Sequence, residues 1–490
     1  MTNHLDLSTS DDTTPTNPSS AARVTFPPGF LWGAATAAYQ VEGAAHEGGR
    51  TDSIWDTFAR IPGAVLDGHD GEVACDQYHR MADDVALMAR LNLASYRFST
   101  SWARVRPDGG PLNPTGVDYY SRLVDELLGA GLAPWLTLYH WDLPQALQEA
   151  GGWANRDTAF RFAEYAVDMH EALGDRVTTW TTLNEPWCSA FLGHVAGMHA
   201  PGRQVPAEGL AAAHHLLLGH GLAVRELRSR APQASLGITL NLNVTDPLDP
   251  SDGGDVEAAR LLDGQHNRIF LDPLLRGSYP ADVLDDVAHL GLLDHVRGGD
   301  LDVISTPIDV LGVNYYHGDA VSSRPEPGEV EGPPAPTRPT SSPFPAADGA
   351  HHRRRDLPLT GIGWEVQAEG LTRLLLRLQE EYTGPAGVAL YITENGAAYP
   401  DEPDADGFVQ DDGRLDYYDQ HLRALREAMS RGADVRGYFA WSLLDNYEWS
   451  FGYHQRFGIV RVDFDTQART PKASALWYAQ VAGDNAVPAR

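Results

Sequence analysis

Short apolar runs alternate along the chain with longer segments in which apolar side chains recur at helical spacing. Met81, Val85 and Met88 lie three or four residues apart, as expected for one buried face of a helix. A second helical face at residues 123–128 is followed by Gly131, a residue type that favours a helix end. The runs that indicate buried strands cover residues 30–39, 94–99, 133–139, 177–183, 235–242, 310–316, 388–393 and 435–441.

Eight strand-like runs separated by helical segments predict an α/β protein, a single (β/α)₈ TIM barrel with long loops after its strands. A doubly wound open sheet is the alternative. That fold would place a glycine-rich phosphate-binding turn after the first strand, but residues 40–50 match such a turn poorly. The barrel is therefore favoured, as one domain over residues 23–485.

Two segments depart from this alternation. Residues 1–22 are rich in Ser, Thr, Asp and Pro, so we expect a disordered tail before the barrel. Residues 318–360 are irregular and rich in proline, and would be either an interdomain linker or a long loop after the sixth strand. The loop is favoured because two strand patterns follow it. The HHRRR run at residues 351–355 is interpreted as a solvated basic patch.

The charge of the chain excludes some classes of function. The 490 residues include 37 Lys and Arg against 67 Asp and Glu, a formal net charge of −30. Such a surface repels a phosphate backbone and anionic lipids, so we expect no nucleic-acid and no membrane partner. The first residues lack the apolar stretch of a signal peptide, which favours a cytoplasmic location. Two cysteines, Cys75 and Cys188, exclude a disulfide framework and a Cys-rich metal site.

Polar and aromatic residues stand where the apolar runs end. The carboxyl ends of all strands in a barrel meet at one mouth, and catalytic residues gather there. Such residues are costly to bury singly, but together they would line a polar pocket with aromatic walls. The residues at these ends are Gln40, Arg97, His140, Trp141, Asn184, Glu185, Asn314, Tyr316, Glu394, Asn395 and Trp441.

Glu185 and Glu394 are the strongest catalytic candidates. Each closes an apolar run and is followed by residues that break regular structure. Taken singly, each would be interpreted as the cap of a following segment. Taken together, they form the pair of carboxyl groups that glycoside hydrolysis requires, one protonated and one ionised.

Six motifs resemble, in the same order, those of glycoside hydrolase family 1, the β-glucosidase family. The resemblance runs from about residue 26 to about residue 477, nearly the whole chain. The motifs are FPPGFLWGAATAAYQVEG at 26–43, TLYHWDLP at 137–144, TLNEPW at 182–187, GVNYY at 312–316, ITENG at 392–396 and WSLLDNYEW at 441–449.

The resemblance implies a retaining β-glucosidase that releases terminal non-reducing β-D-glucosyl residues through a covalent glycosyl-enzyme intermediate. Glu394 would be the nucleophile and Glu185 the acid/base, with their carboxyls about 5–5.5 Å apart. Arg97 and Tyr316 would keep Glu394 ionised. No cofactor and no metal enters this chemistry. The residues expected to bind the sugar are Gln40, His140, Trp141, Asn184, Asn314, Trp441, Glu448, Trp449 and Phe457, and those expected to wall the aglycone site are Trp187 and Trp364.

The partners implied are small β-glucosides and cello-oligosaccharides, for a monomer or homo-oligomer. A 6-phospho-β-glycosidase is disfavoured because phosphate-binding members carry Ser, Lys and Tyr where this chain has Glu448, Gln455 and Phe457. Losing a cationic and a hydroxyl donor would weaken phosphate binding. A sugar-binding protein without catalysis is disfavoured because both carboxylates are present. Sugar transfer uses the same residues as hydrolysis, so that alternative stays open.

Overall fold

A computed structural model of the protein describes residues 22–326 and 332–490. Eight parallel strands follow one another around a closed barrel, and the last strand pairs with the first. The predicted TIM barrel is confirmed. The tail expected over residues 1–22 lies, apart from Ala22, outside the described residues. The strands are β1 Leu31–Ala35, β2 Ser95–Ser99, β3 Ala133–Tyr139, β4 Thr179–Asn184, β5 Ser235–Asn241, β6 Val310–Asn314, β7 Ala389–Asn395 and β8 Val435–Trp441.

A long helix lies after each barrel strand. The predicted face of Met81, Val85 and Met88 is buried on the first helix. No helix within the described residues is long and apolar enough to cross a membrane. The long helices are α1 Gln77–Arg90, α2 Pro114–Gly129, α3 Asp157–Leu173, α4 Pro206–Arg230, α5 Gly253–Asp263, α6 Ala368–Leu378, α7 Asp412–Ser430 and α8 Ala473–Asp484. Shorter α-helices are Ala38–Val41, Ile54–Ala59, Trp102–Val105, Gln145–Glu149, Ile269–Leu275, Ala281–Asp286, Asp300–Ile304 and Gly384–Ala386.

Further short elements lie in the connections. The π-helical segments are Cys188–Ala196, Gly264–Arg268 and Gln379–Thr383. The 3₁₀ turns are Leu66–Gly68, Pro107–Gly109, Gly152–Ala154, Ala288–Leu290, Leu292–Asp294 and Trp449–Phe451. Two antiparallel ribbons pair Val24–Thr25 with Ala486–Val487 and Val460–Asp463 with Ala468–Pro471.

The first strand is shorter than its apolar run predicted. The strand β1 ends at Ala35, and Ala38–Val41 forms a helical turn with every residue buried. Alanine and tyrosine are apolar in either conformation, so the run could not mark where the strand ends. Gln40 therefore lies on a helical turn beyond the strand rather than at the strand end.

The Pro-rich connection after β6 contains regular structure that the sequence pattern did not predict. Its strand Asp319–Ser322 pairs antiparallel with His351–Arg353 and parallel with Thr245–Pro247 from the β5 loop. The prediction of a solvated basic patch at residues 351–355 is wrong in part. The side chains of Arg353 and Arg355 are partly buried, because they pair with acidic groups that lie far from them in the sequence.

Aromatic side chains close the barrel interior below the strand ends. The Trp135 ring meets Tyr391 and Phe439 edge-on, with centroids 4.9 and 5.2 Å apart. Gly33 makes this packing possible, because a Cβ atom there would lie 2.5 Å from the Phe439 ring. Aromatic rings therefore fill the barrel interior at this level.

Asp142 lies two residues after His140, and its carboxyl group is buried. It is 1% exposed, and neither of its oxygens has a hydrogen-bond partner. Burial raises the pKa of Asp142 to about 8. The folded protein therefore keeps a proton at neutral pH that the unfolded chain releases.

We expect Asp142→Asn to stabilise the protein at alkaline pH. At this one carboxyl, the folded wild-type protein holds a proton between about pH 4 and pH 8 that the unfolded protein has lost, so the contribution of Asp142 to stability falls as pH rises through this window. The amide has the shape of the neutral acid and does not titrate. At pH 8, thermal unfolding should show a higher Tm for the variant than for the wild-type protein, corresponding to a gain in the free energy of unfolding on the order of 2 kcal/mol. The difference in Tm should be smaller at pH 5. The exposed Asp285→Asn is the control, and an equal gap at both pH values would contradict the prediction.

Candidate active site

A cavity of about 690 Å³ opens at the carboxyl ends of the strands. Three of the predicted site residues, Gln40, Arg97 and Asn184, lie behind its wall and bond to residues that form it. The predicted residues that line the cavity are His140, Trp141, Glu185, Trp187, Asn314, Tyr316, Trp364, Glu394, Trp441, Glu448, Trp449 and Phe457. The fold thus brings the strand-end residues to one mouth with the exception of Asn395, which is fully buried outside the cavity lining and donates to the Tyr315 carbonyl at 2.6 Å.

Glu394 lies at the end of β7 with both oxygens bonded. The Arg97 guanidinium donates to Oε1 at 2.7 Å, and the Tyr316 hydroxyl donates to Oε2 at 2.6 Å. Burial raises the pKa of this carboxyl, and Arg97 and Tyr316 oppose that shift. A buried carboxylate with a cation and a phenol on its two oxygens is set up to carry a negative charge.

Glu185 follows β4 and has a different environment. Its backbone is left-handed, with φ of 47°, a conformation that only a surrounding structure can enforce on such a side chain. Asn314 Nδ2 donates to Oε1 at 2.5 Å, and no cation contacts the carboxyl directly. Burial and the nearby charge of Glu394 raise the pKa of Glu185 to about 8. Glu185 is therefore protonated at neutral pH.

Asn184 links the two carboxyl groups. Its Oδ1 accepts from Arg97 at 2.6 Å and from Asn314 at 3.1 Å, so its amide nitrogen must donate to His140 Nε2 at 3.0 Å. The proton of the His140 ring then sits on Nδ1, which is buried and has no protein partner. Burial and the charge of Arg97 hold the pKa of His140 well below its usual range, so the ring is neutral.

Glu448 lines a polar end of the cavity, and Gln40 lies directly behind it. Gln40 Nε2 donates to the Tyr447 carbonyl at 2.8 Å and lies 3.4 Å from Glu448 Oε2, while Gln40 Oε1 is buried without a partner. Burial and the charge of Glu394 raise the pKa of Glu448 to about 8. This end therefore offers unused acceptors and a protonated carboxyl to a ligand rich in hydroxyls.

Aromatic rings form the walls on two sides. The Trp449 ring packs on Trp141 at 4.5 Å and lies 5.8 Å from the His140 ring, beside Trp441. On the outer side, Trp364 packs against Tyr316 at 5.4 Å. Apolar ring faces of this kind suit the C–H faces of a sugar and the surface of an attached aglycone.

Several cavity residues were missed by sequence reasoning. His266 stacks on Trp187 at 4.4 Å, and Phe344 and His352 come from the Pro-rich loop. Nothing in a single sequence marks these residues, because the β5 and β6 loops meet only in space. The sequence analysis considered Cys188 only for disulfides and metal sites. Its position three residues after Glu185 would place it one helical turn from that carboxyl group.

A buried ion network supports the loop that carries Glu448 and Trp449. Asp445 is fully buried, and its carboxylate accepts from Lys472 at 2.7 Å and from Arg456 at 2.8 Å. Lys472 is the single lysine of the chain. Burial lowers the pKa of Lys472, and its acidic partners oppose that shift. These pairs fix the start of the loop relative to the barrel.

Among the described residues, one group of side chains has the geometry of a metal site: Asp67, His69 and His454, at the surface and outside the cavity lining. His454 Nε2 bonds Asp67 at 2.8 Å, and His69 Nδ1 accepts from the Tyr453 N–H at 3.2 Å. One nitrogen of each imidazole is therefore bonded within the protein. The group contributes nothing to the cavity.

The sequence profile of glycosyl hydrolase family 1 matches residues 22–487. A thermostable beta-glucosidase B from Thermobispora bispora is 50% identical over 468 residues, which cover 95% of this chain and 92% of the relative. A bifunctional beta-D-glucosidase/beta-D-fucosidase from Bifidobacterium breve is 46% identical, covering 94% of this chain and 98% of its own.

Solved structures agree with this match. A psychrophilic beta-glucosidase from Micrococcus antarcticus is 55% identical, with a TM-score of 0.92 over 94% of this chain and 98% of that one. The family 1 beta-glucosidase from Thermotoga maritima, in complex with isofagomine lactam, is 41% identical, with a TM-score of 0.86 over 94% and 99%.

We expect Lys472→Met to destabilise the protein strongly. The change leaves the buried Asp445 carboxylate with one cation fewer, and breaking a buried ion pair from one side costs about 3–5 kcal/mol. Thermal unfolding should therefore give a clearly lower Tm. Arg225→Met, on the exposed side of α4, is the control for losing a surface cation. A Tm of Lys472→Met within about a degree of the wild-type value would show that the network contributes little.

Proposed function

Because the chain belongs to glycosyl hydrolase family 1, we infer that it is a retaining β-glucosidase, whose activity resides in the cavity at the strand ends. Retention through a double displacement is general to this family. One observation carries the assignment of the site: two carboxyl groups with different partners line the same cavity, Glu394 in contact with Arg97 and Tyr316, and Glu185 in contact with the amide of Asn314.

Glu394 is the nucleophile. Its contacts with Arg97 and Tyr316 stabilise the ionised form. The carboxylate attacks the anomeric carbon of the bound β-glucoside and forms a covalent glycosyl ester, inverting that carbon once.

Glu185 is the acid/base. It holds a proton at neutral pH and gives this proton to the departing glycosidic oxygen in the first step. In the second step it takes a proton from water as the water attacks the ester carbon. The Glu394 carboxylate is released, and the second inversion returns the sugar in the β configuration.

The glucosyl residue binds at the inner, polar end. Gln40 Oε1 and the Nδ1 proton of His140 are buried and unpaired, which is costly in an interior unless a ligand hydroxyl meets them. Glu448 lies at the same end, and the rings of Trp441 and Trp449 provide the face on which a pyranose lies.

The substrates are small β-glucosides and cello-oligosaccharides. The outer part of the cavity is broad and aromatic, with Trp187, Phe344 and Trp364 in its wall. A second glucose unit or an aryl group would pack there as the leaving group. This part is built by loops rather than strands, so it is where members of a barrel family differ in aglycone.

We expect Glu394→Ala to abolish turnover and Glu185→Ala to be selective. An aryl glucoside with a good leaving group needs little protonation, so the first step survives in Glu185→Ala and hydrolysis of the ester slows. Azide attacks without base help and should restore the rate, giving a β-glucosyl azide. Initial rates and NMR of the product configuration provide the measurement.

The same pair of variants tests the assignment. Azide that rescues Glu394→Ala by a single displacement should give the α-glucosyl azide, because the anomeric carbon is then inverted only once. That product would confirm that Glu394→Ala has lost its nucleophile. A β-glucosyl azide from Glu394→Ala, with no rescue of Glu185→Ala, would mean that the two roles are exchanged.

We also expect free β-glucosides to be preferred over their 6-phosphates. A phosphate at the inner end would meet the Glu448 carboxyl and the Phe457 ring, whereas the arginines in the cavity lining, Arg353 and Arg354, come from the Pro-rich loop. Gln455 is buried but does not line the cavity, so the expectation depends on the other two positions. The value of kcat/KM should be at least about a hundred-fold higher for an aryl β-glucoside than for its 6-phosphate.

The control for this prediction is Glu448→Ser, which should lower kcat/KM for the free glucoside and narrow the gap between the two substrates. A larger kcat/KM for the phosphate in the wild-type protein would overturn the expectation.

A further inference from the structure

The thiol of Cys188 lies against the acid/base carboxyl. Its Sγ is 3.1 Å from Glu185 Oε2, and the side chain is 5% exposed. The backbone N–H of Cys188 donates to the carbonyl of Glu185 at 3.0 Å, so a single helical turn brings the sulfur under the carboxyl. The other oxygen, Oε1, is held by Asn314.

The two partners of Glu185 differ in chemistry. Asn314 presents an amide N–H in a fixed direction, so Oε1 is always an acceptor, and the proton of the neutral acid has to lie on Oε2. A thiol is a weak donor and a weak acceptor, and its S–H bond rotates freely. The oxygen that gains and loses the proton thus faces the partner that can adapt to both states.

We propose that Cys188 is a positioning residue for Glu185, whose thiol donates to Oε2 when the carboxyl is ionised and turns to accept when Oε2 carries the proton. The inference rests on the proposed function, in which Glu185 changes between acid and base in every turnover. Cys188 itself forms no covalent bond and transfers no proton.

Burial supports this role for the thiol. Burial and the charge of Glu185 raise the pKa of Cys188, so the sulfur keeps its proton and does not become a competing anion. Asn241 Nδ2 lies 3.8 Å from the sulfur and adds a second weak contact that limits its position. A hydroxyl in the same place would favour the ionised state, because the bond that it donates to a carboxylate is charge-assisted and is stronger than the neutral bond that it accepts from the protonated acid.

Other ionisable groups face the same space and are left unchanged by a substitution at Cys188. They are Arg97 on β2, His140 after β3, His266 between β5 and β6, Tyr316 after β6, Glu394 on β7 and Glu448 after β8.

The test is the alkaline limb of kcat/KM against pH, which reports the proton on Glu185 in the free enzyme. Cys188→Ala removes a donor to the carboxylate, so the limb should move to higher pH. Cys188→Ser supplies a stronger donor, so the limb should move to lower pH. Each shift should be about half a pH unit, the scale expected for one weak hydrogen bond.

The opposite signs separate this role from a structural one. A role in packing alone would lower activity in both variants without moving the limb in opposite directions. Cys75→Ser is the matched control, because Cys75 is the other thiol of the chain and donates to the Asp445 carbonyl at 3.0 Å, away from Glu185. Its limb should stay at the wild-type pH. Equal shifts, or none, in the two Cys188 variants would overturn the proposal.

A second measurement applies even if a Cys188 variant fails to fold. Cys75→Ser leaves Cys188 as the only thiol, so its S–H stretching band can be followed by infrared spectroscopy. The band should shift as pH passes through the limb, and Cys75→Ser/Glu185→Gln should remove that shift. A band independent of pH in the first variant would contradict the proposal. Azide rescue of Glu185→Ala with Cys188 intact tests the proposed function separately.

Discussion

Three carboxyl groups, Glu185, Glu394 and Glu448, face one buried cavity, and their burial together with their mutual repulsion decides which of them holds a proton. In an interior of low dielectric, three neighbouring carboxylates cannot all be ionised at neutral pH. The Arg97 guanidinium contacts Glu394 and so favours the charge there. Burial raises the pKa values of the other two, and the charge on Glu394 raises them further. An ionised carboxylate beside a protonated carboxyl group, the pair that the proposed mechanism requires, follows from the same arrangement.

Maintaining this arrangement requires rigid supports. Asn184 ties the cation of Arg97 to Asn314 and His140 through one amide group. The left-handed backbone of Glu185 and the buried ion pairs of Asp445 are unfavourable unless the surroundings are fixed. The closed barrel with its packed aromatic floor provides that rigidity, and the strand ends give every functional group a common direction.

The barrel could be predicted because buried parallel strands are almost continuously apolar, so each strand leaves its own mark in the sequence. The boundaries were less certain, as β1 and the helical turn around Gln40 show, since both conformations bury the same residues. The pairing of Asp319–Ser322 with His351–Arg353 escaped prediction because it joins the ends of a long irregular loop. Arg353 and Arg355 looked solvated for the same reason: Glu326 and Asp246, with which they pair, are distant in sequence.

The sequence by itself determined the eight strands, the two candidate carboxyl groups and, through the order of its motifs, the family. Those features are local, because a strand pattern or a motif lies within a few consecutive residues. Only the tertiary structure decided which carboxyl has the cation, which imidazole nitrogen carries the proton, and that a thiol lies 3.1 Å from Glu185 Oε2. Protonation depends on burial and on charges across the cavity, and neither quantity exists until residues far apart in the chain are brought together.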